Sequence, residues 1–219
     1  MKTIVVLVSF MLATCSMGWA GSCSAGNLGP LSYGSAGFSC TEGNLEFSNF
    51  SYVGTAGGSA VPIDPASVAV NLVSSPGEAG LNFSAGWSVG TASEQDSLIQ
   101  YTVTELVGTL TDGTLSAAGF GFTGTGIVTV GETLSNGVNL VISVGSGGTQ
   151  SSDSATFTGV QTVVADKDIT VSGGTAGSAF VSSVSNQFSD ASTPEPAALV
   201  LFGTGLLGLG SFIKLHRRA

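Results

Sequence analysis

The sequence predicts an all-β protein, an antiparallel β-sandwich of jelly-roll-like type, flanked at each end by an apolar segment that does not share its pattern. Two observations predict the fold class. Apolar residues alternate with polar ones, most regularly where Leu81, Phe83, Ala85, Trp87 and Val89 interleave with Asn82, Ser84, Gly86 and Ser88. That period of two belongs to a half-buried strand. Turn-forming residues then punctuate the chain at Ser75-Pro76-Gly77, Asp112-Gly113, Asn136-Gly137 and Ser172-Gly173-Gly174. No amphipathic helix longer than two turns and no fixed-period repeat interrupts this pattern.

Met1-Lys2-Thr3 supplies a positive charge, residues 4–13 are apolar, and Gly18-Trp19-Ala20 puts small residues at the minus-three and minus-one positions of a cut after Ala20. These are the parts of a secretory signal peptide over residues 1–20. A competing reading takes Leu12-Ala13-Thr14-Cys15 as a lipoprotein box with Cys15 as the lipidated residue, although Thr14 fits that box poorly. Once residues 1–20 are gone, Cys23 and Cys40 remain. An even count in an oxidising compartment, with no CxxC spacing, points to a structural disulfide closing the Gly- and Ser-rich stretch between them.

The ectodomain is expected over residues 21–186. Alternation at Ile99, Tyr101 and Val103, and at Val138, Leu140, Ile142 and Val144, marks two further strands. Weaker patterns place strands over residues 45–53, 67–73, 115–122, 126–132, 155–164, 167–172 and 178–188. Asn136-Gly137 is the strongest hairpin signal, joining the strand before it to the one that begins at Val138. With 173 residues between the expected cut and Thr193, the ectodomain is long enough for a full core. A polar stalk over 187–196 follows, and then an apolar run over 197–213.

Charge and side-chain inventory exclude more than they assign. Between residues 21 and 193 the only basic residue is Lys167, against 13 acids, a net charge of −12. Such a surface repels nucleic acid, so no nucleic-acid partner is expected. Its acidity suits solubility outside the cell, the alternative being a surface that gathers divalent cations. The only histidine, His216, lies beyond the ectodomain. Ser-His-Asp and Cys-His sites and His-ligated metals are thereby excluded from it. No phosphate-binding glycine loop ends in Lys-Ser or Lys-Thr, and Lys167, flanked by Asp166 and Asp168, is expected to stay charged. No enzyme activity, cofactor or metal site is expected.

Carboxylate chemistry survives this screen. Glu78, Glu94, Asp96 and Glu105 lie on or near the best-patterned strands, and a glycoside hydrolase needs two acids roughly 5–10 Å apart. No motif marks a pair. Asp166-Lys167-Asp168 and Glu94-Gln95-Asp96 resemble no calcium loop and read as solvated loop acids. Trp87, Tyr52 and Tyr101 would make a sugar-stacking platform if exposed together, but Trp87 is in phase with Leu81 and Phe83, as a core residue would be. Sequons occur at Asn49 and Asn82, the latter beside Phe83, which the alternation expects to be buried.

The C-terminal segment is the most specific feature. Pro194-Glu195-Pro196 is followed by 17 uncharged residues, 197–213, and by Lys214, Arg217 and Arg218. As a helix the run spans roughly 25 Å, enough to cross a bilayer with snorkelling flanks. The basic tail over 214–219 puts the C-terminus in the cytoplasm. This order of parts resembles the PEP-CTERM sorting domain of exported bacterial proteins, a family typical of Gram-negative bacteria that make extracellular polysaccharide. The resemblance covers about an eighth of the chain and implies that Pro194, Glu195 and Pro196 are the recognition element. It also implies a partner, an exosortase, which is a membrane-embedded cysteine transpeptidase-like enzyme that processes the tail. The expected protein is anchored in the inner membrane by its C-terminal helix before processing and is then delivered to the cell surface or extracellular matrix. Its sandwich is expected to be structural, with binding of extracellular polysaccharide as the alternative and a carboxylate glycoside hydrolase behind it.

Overall fold

The computed structural model describes residues 20–75 and 77–189, so the expected signal peptide, Cys15, the apolar run 197–213 and the basic tail lie outside the described residues. The first sheet runs in the order β1 (Gly21–Ser22), β3 (Ser39–Glu42), β4 (Leu45–Gly57), β7 (Glu94–Glu105), β14 (Thr162–Ser172), β10 (Ile127–Leu134), β11 (Asn139–Gly145) and β12 (Gly148–Gln150). The second runs β13 (Ser152–Val160), β8 (Leu110–Ala118), β15 (Ser178–Ser189), β6 (Glu78–Val89), β5 (Ala69–Ser75) and β2 (Gly26–Asn27). The short β9 (Gly121–Thr123) pairs with β15 outside that order. Every ladder is antiparallel except β1 with β3.

Eight strands form a jelly roll. Counted along the chain, β6, β8, β13 and β15 belong to one sheet and β7, β10, β11 and β14 to the other, in the spatial orders β13-β8-β15-β6 and β7-β14-β10-β11. The chain changes sheet at nearly every step, so neighbouring strands are distant in sequence and the two Greek keys interlock. β4 extends the first sheet beside β7, and β5 extends the second beside β6. No helix among the described residues is long and apolar enough to cross a membrane.

Alternation decides what lies between the sheets. Phe83, Leu81 and Trp87 from β6, Ile99, Tyr101 and Val103 from β7, and Val128, Val130 and Leu134 from β10 are fully buried in one core cluster. At about 25 cal/mol per Å² of apolar surface removed from water, these rows are the main favourable term in folding. The Asn136-Gly137 hairpin forms as expected. Thr133 faces Asn139, the Gly137 amide donates to the Leu134 carbonyl at 2.9 Å, and Gly137 takes φ +91°, which glycine adopts without steric cost.

Two expected breaks fall elsewhere. Residues 155–164 span the end of β13 and the start of β14, with the reversal at Gln161. Residues 166–168, expected as loop acids, lie in the middle of β14, which runs unbroken from Thr162 to Ser172. Lys167 shares the inward phase of Val163, Ala165, Ile169 and Val171, so the strand continues through it. β15 runs to Ser189, in keeping with the strand expected over 178–188, so Gln187 and the buried Phe188 belong to the strand and not to the stalk expected over 187–196.

The N-terminal stretch before β3 is tied down by the expected disulfide, Cys23–Cys40, whose Cα atoms are 4.7 Å apart. Tyr33 seals the loop beneath it. Its hydroxyl donates to the Ser24 carbonyl at 2.7 Å, and its ring packs on Phe38 and edge-on to Phe50. In the chain-entropy account, closing a loop of this length is worth about 3 kcal/mol. Replacing both cysteines by serine is therefore expected to lower the unfolding free energy by about that amount, read as the shift in urea midpoint at unchanged slope.

Candidate functional site

The aromatic candidates do not form a surface. Trp87 and Tyr101 are fully buried and Tyr52 is half-buried. Trp87 and Tyr52 meet at one buried hydroxyl instead. The Trp87 indole donates to Ser97 Oγ at 3.0 Å, Tyr52 Oη lies 2.9 Å from the same atom, and Tyr52 Oη donates to the Ile63 carbonyl. This chain ties β6 to β7 and to the loop after β4. A stacking platform built from these three rings is therefore corrected to a core network, in which each polar tip of Trp87 and Tyr52 is bonded as buried aromatic tips require.

The acids are dispersed in the same way. Glu105 is fully buried at the end of β7, where its carboxylate accepts from the Val107 amide at 3.1 Å. Glu94, at the other end of that strand, is about 36 Å away at the usual rise per residue. Glu78 accepts from Ser75 and, with Glu42, lines an open groove of about 440 Å³ where the β3–β4 and β5–β6 turns meet. Asp96 and Asp168 come together on the outer face of the first sheet, where Thr170 Oγ1 donates to Asp96 at 3.3 Å and to Asp168 at 3.4 Å. Partial burial, followed by the neighbouring Asp168 charge, raises the Asp96 carboxyl above its ordinary value. Among the described residues no group of three His, Cys, Asp or Glu side chains is placed to hold a metal ion.

The most concentrated chemistry lies where the sequence pointed least. Glu132 and Lys167 face each other directly across the β10–β14 ladder, both turned inward and both buried. Lys167 Nζ donates to Glu132 Oε2. Asn186, projecting from β15 of the opposite sheet and also fully buried, donates through Nδ2 to Glu132 Oε1 at 2.6 Å and more weakly to the Thr114 carbonyl at 3.4 Å. Two polar atoms there find no hydrogen bond, Asn186 Oδ1 and Tyr101 Oη. Each such group costs about 1–3 kcal/mol in lost solvation.

Electrostatics follow from that burial. Desolvation lowers the pKa of the Lys167 ammonium against the opposing attraction of Glu132. Desolvation, then the Glu132 charge, pushes the Tyr101 phenol well above its ordinary value. Gly80 makes room for this arrangement, because a Cβ there would lie 1.7 Å from the Asn186 carbonyl oxygen. An amine, a carboxylate and a carboxamide thus share one buried site between the sheets. The sequence signal was the inward phase of Lys167 among Val163, Ala165, Ile169 and Val171, hidden by its acidic neighbours.

Two of these placements can be tested by unfolding. Ser97→Ala leaves the Trp87 indole N–H without its acceptor, so a loss of about 1–3 kcal/mol is expected from urea titration. Asp96 has a raised folded pKa, so its contribution is present below the unfolded pKa and is lost as pH rises through the folded one. Asp96→Asn should therefore raise the urea midpoint at pH 7, and the gain should vanish below about pH 4. An unchanged midpoint at pH 7 would show that partial burial and the Asp168 charge do not destabilise the Asp96 carboxylate.

TmCBM61, solved in complex with β-1,4-galactotriose, is similar at 12% identity and a TM-score of 0.28, over 64% of this chain and 88% of that one. The enzymatically active domain of bacteriophage CBA120 tailspike protein 4 is similar at 13% identity and a TM-score of 0.25, over 65% of this chain. The match spans about a fifth of that tailspike chain, 19% of its length. No curated protein matches the sequence. The model of the PEP-CTERM protein-sorting motif matches residues 192–218, which hold Pro194, Glu195, Pro196, Lys214, Arg217 and Arg218 and begin three residues after β15 ends. The chain carries a PEP-CTERM protein-sorting motif, which begins three residues after the last strand of the jelly roll.

Proposed function

We propose that this protein is an exosortase substrate whose jelly roll serves as a structural, non-catalytic component of the cell surface or extracellular matrix. The observation that carries the reading is the sorting motif at residues 192–218, placed after the last strand of the sandwich. Such a motif implies export. The expected signal peptide over 1–20 supplies the route, and the apolar run over 197–213 holds the chain in the inner membrane until a membrane-embedded processing enzyme reads Pro194-Glu195-Pro196.

The described surface supports a structural role for the cargo. Its strongest acid candidates are split between the buried end of β7, an open groove and a flat sheet face. The aromatic side chains that would stack on sugar rings are taken up by the core. The disulfide suits an oxidising compartment. The acidic exterior, with Lys167 turned inward, keeps the domain soluble and repels its own copies.

Mass spectrometry of the protein from its host, with and without exosortase, tests this reading. The expected product begins after Ala20 and lacks the tail beyond the Pro194 region only when the enzyme is present. Glu195→Ala is expected to leave the tail attached in the wild-type host. An intact tail in both hosts would overturn the sorting assignment and leave a membrane-tethered sandwich.

A further inference from the structure

We propose that Lys167 and Asn186 are joined by an intramolecular amide bond, formed under catalysis by Glu132, that links the two sheets covalently through the core. The proposal stands on the geometry of the site and does not depend on the sorting assignment.

The reactants are held on one carboxylate. Glu132 Oε2 takes the Lys167 ammonium and Glu132 Oε1 takes the Asn186 carboxamide, so amine and amide are adjacent and share a group able to move protons between them. All three side chains are fully buried, in phase along their strands with the buried Val130, Ile169, Val184 and Phe188. Fixed proximity of this kind replaces a bimolecular encounter and removes its entropic cost. Burial also favours the neutral amine of Lys167, whose pKa is lowered by desolvation against the attraction of Glu132. The Asn186 carbonyl oxygen has no hydrogen bond to stabilise the amide as it stands. A buried ion pair alone is weak evidence for stability, so the cluster calls for another role.

The step balances without any co-reactant. Lys167 Nζ passes a proton to Glu132 and becomes a nucleophile. Its lone pair adds to Asn186 Cγ, and the carbonyl electrons move onto Oδ1. Glu132 then delivers that proton to Nδ2 and takes one from Nζ, the Oδ1 electrons re-form the carbonyl as the Cγ–Nδ2 bond breaks, and the departing ammonia carries the proton off Glu132 as ammonium. The Nζ–Cγ bond is the one formed. In sum an ammonium side chain and a carboxamide become a secondary amide and ammonium ion, and the Glu132 carboxylate is restored.

The test uses the full chain, exported and purified from its host, then denatured, reduced and digested with trypsin. Lys167 is the one tryptic site between residues 21 and 193, and an acylated lysine is not cut. The expected result is a fragment that runs uncut through Lys167 and is lighter than its sequence by one ammonia. Asn186→Ala, and separately Glu132→Gln, should restore cleavage after Lys167 and abolish the mass deficit. Cleavage after Lys167 with full mass in the wild-type protein overturns the proposal, a reading that needs no variant to fold. A deficit with Lys167 cut in the wild-type protein also overturns it, because cyclisation at Asn136-Gly137 would release ammonia while leaving the lysine free.

Discussion

A carboxylate in the middle of a β-sandwich has to be matched there, and Glu132 is the constraint on which the two sheets depend. An unpaired ion at such depth costs several kcal/mol even after the protein relaxes. Glu132 avoids that cost only while β10 and β14 keep their register and β15 keeps Asn186 turned inward. A slip of one residue in β14 would turn Lys167 to solvent and drive Asp166 and Asp168 into the core. The apolar rows around it tolerate volume-conserving exchange, whereas the polar trio admits one arrangement. It specifies which of many possible β pairings is the native one. The jelly roll needs such specification, since its ladders join strands that are far apart in sequence.

The edges are managed by different means. On β4 the register changes between Ser48 and Ser51, with Asn49 at φ +55°, so one extra residue is spent there. The bulge moves the inward phase from Leu45 and Phe47 to Phe50 and Tyr52. Phe50 then stacks on Tyr101, with ring centroids 5.6 Å apart, and also meets Tyr33 from the disulfide loop. The loop that Cys23–Cys40 closes thus covers the margin of the sandwich, and β1 and β3 extend the sheet beyond β4. An exported domain cannot rely on chaperones in the cytoplasm, and covered edges with an acidic surface limit strand-to-strand association.

What the sequence revealed and concealed follows the same physics. β6 was legible because Leu81, Phe83, Trp87 and Val89 alternate with polar residues on an exposed face, and the Asn136-Gly137 hairpin because its turn chemistry is local. The disulfide was legible from parity and compartment. Lys167 was not, because a charge between two acids reads as solvated until its phase with Val163 and Ile169 is weighed above its type. Asn186 was hidden by a shift of register in β15 between Val181 and Ser183, which moves the inward phase from Ala179 and Val181 to Val184, Asn186 and Phe188. No periodicity read from the start of that strand reaches Asn186 correctly. The meeting of three strands at Glu132 is a property of topology, and local sequence carries no sign of it.

The place of β15 connects this core to the sorting motif. β15 lies between β8 and β6, in the middle of its sheet, and its last residue, Ser189, is three positions before the motif begins. Any pull on the chain beyond Ser189, from a membrane anchor or a surface attachment, therefore enters the fold through a central strand rather than an edge. Hydrogen bonds to β6 and β8 would then resist as a row, and each alone is worth only about 0.5–1.5 kcal/mol. Asn186 stands three residues before that point of entry, and its partners Glu132 and Lys167 belong to the opposite sheet. Tension arriving at Asn186 is passed across the core to β10 and β14 before it reaches the rest of β15. A covalent contact at this residue would let the jelly roll bear load without peeling its last strand, and a contact anywhere nearer the start of β15 would not.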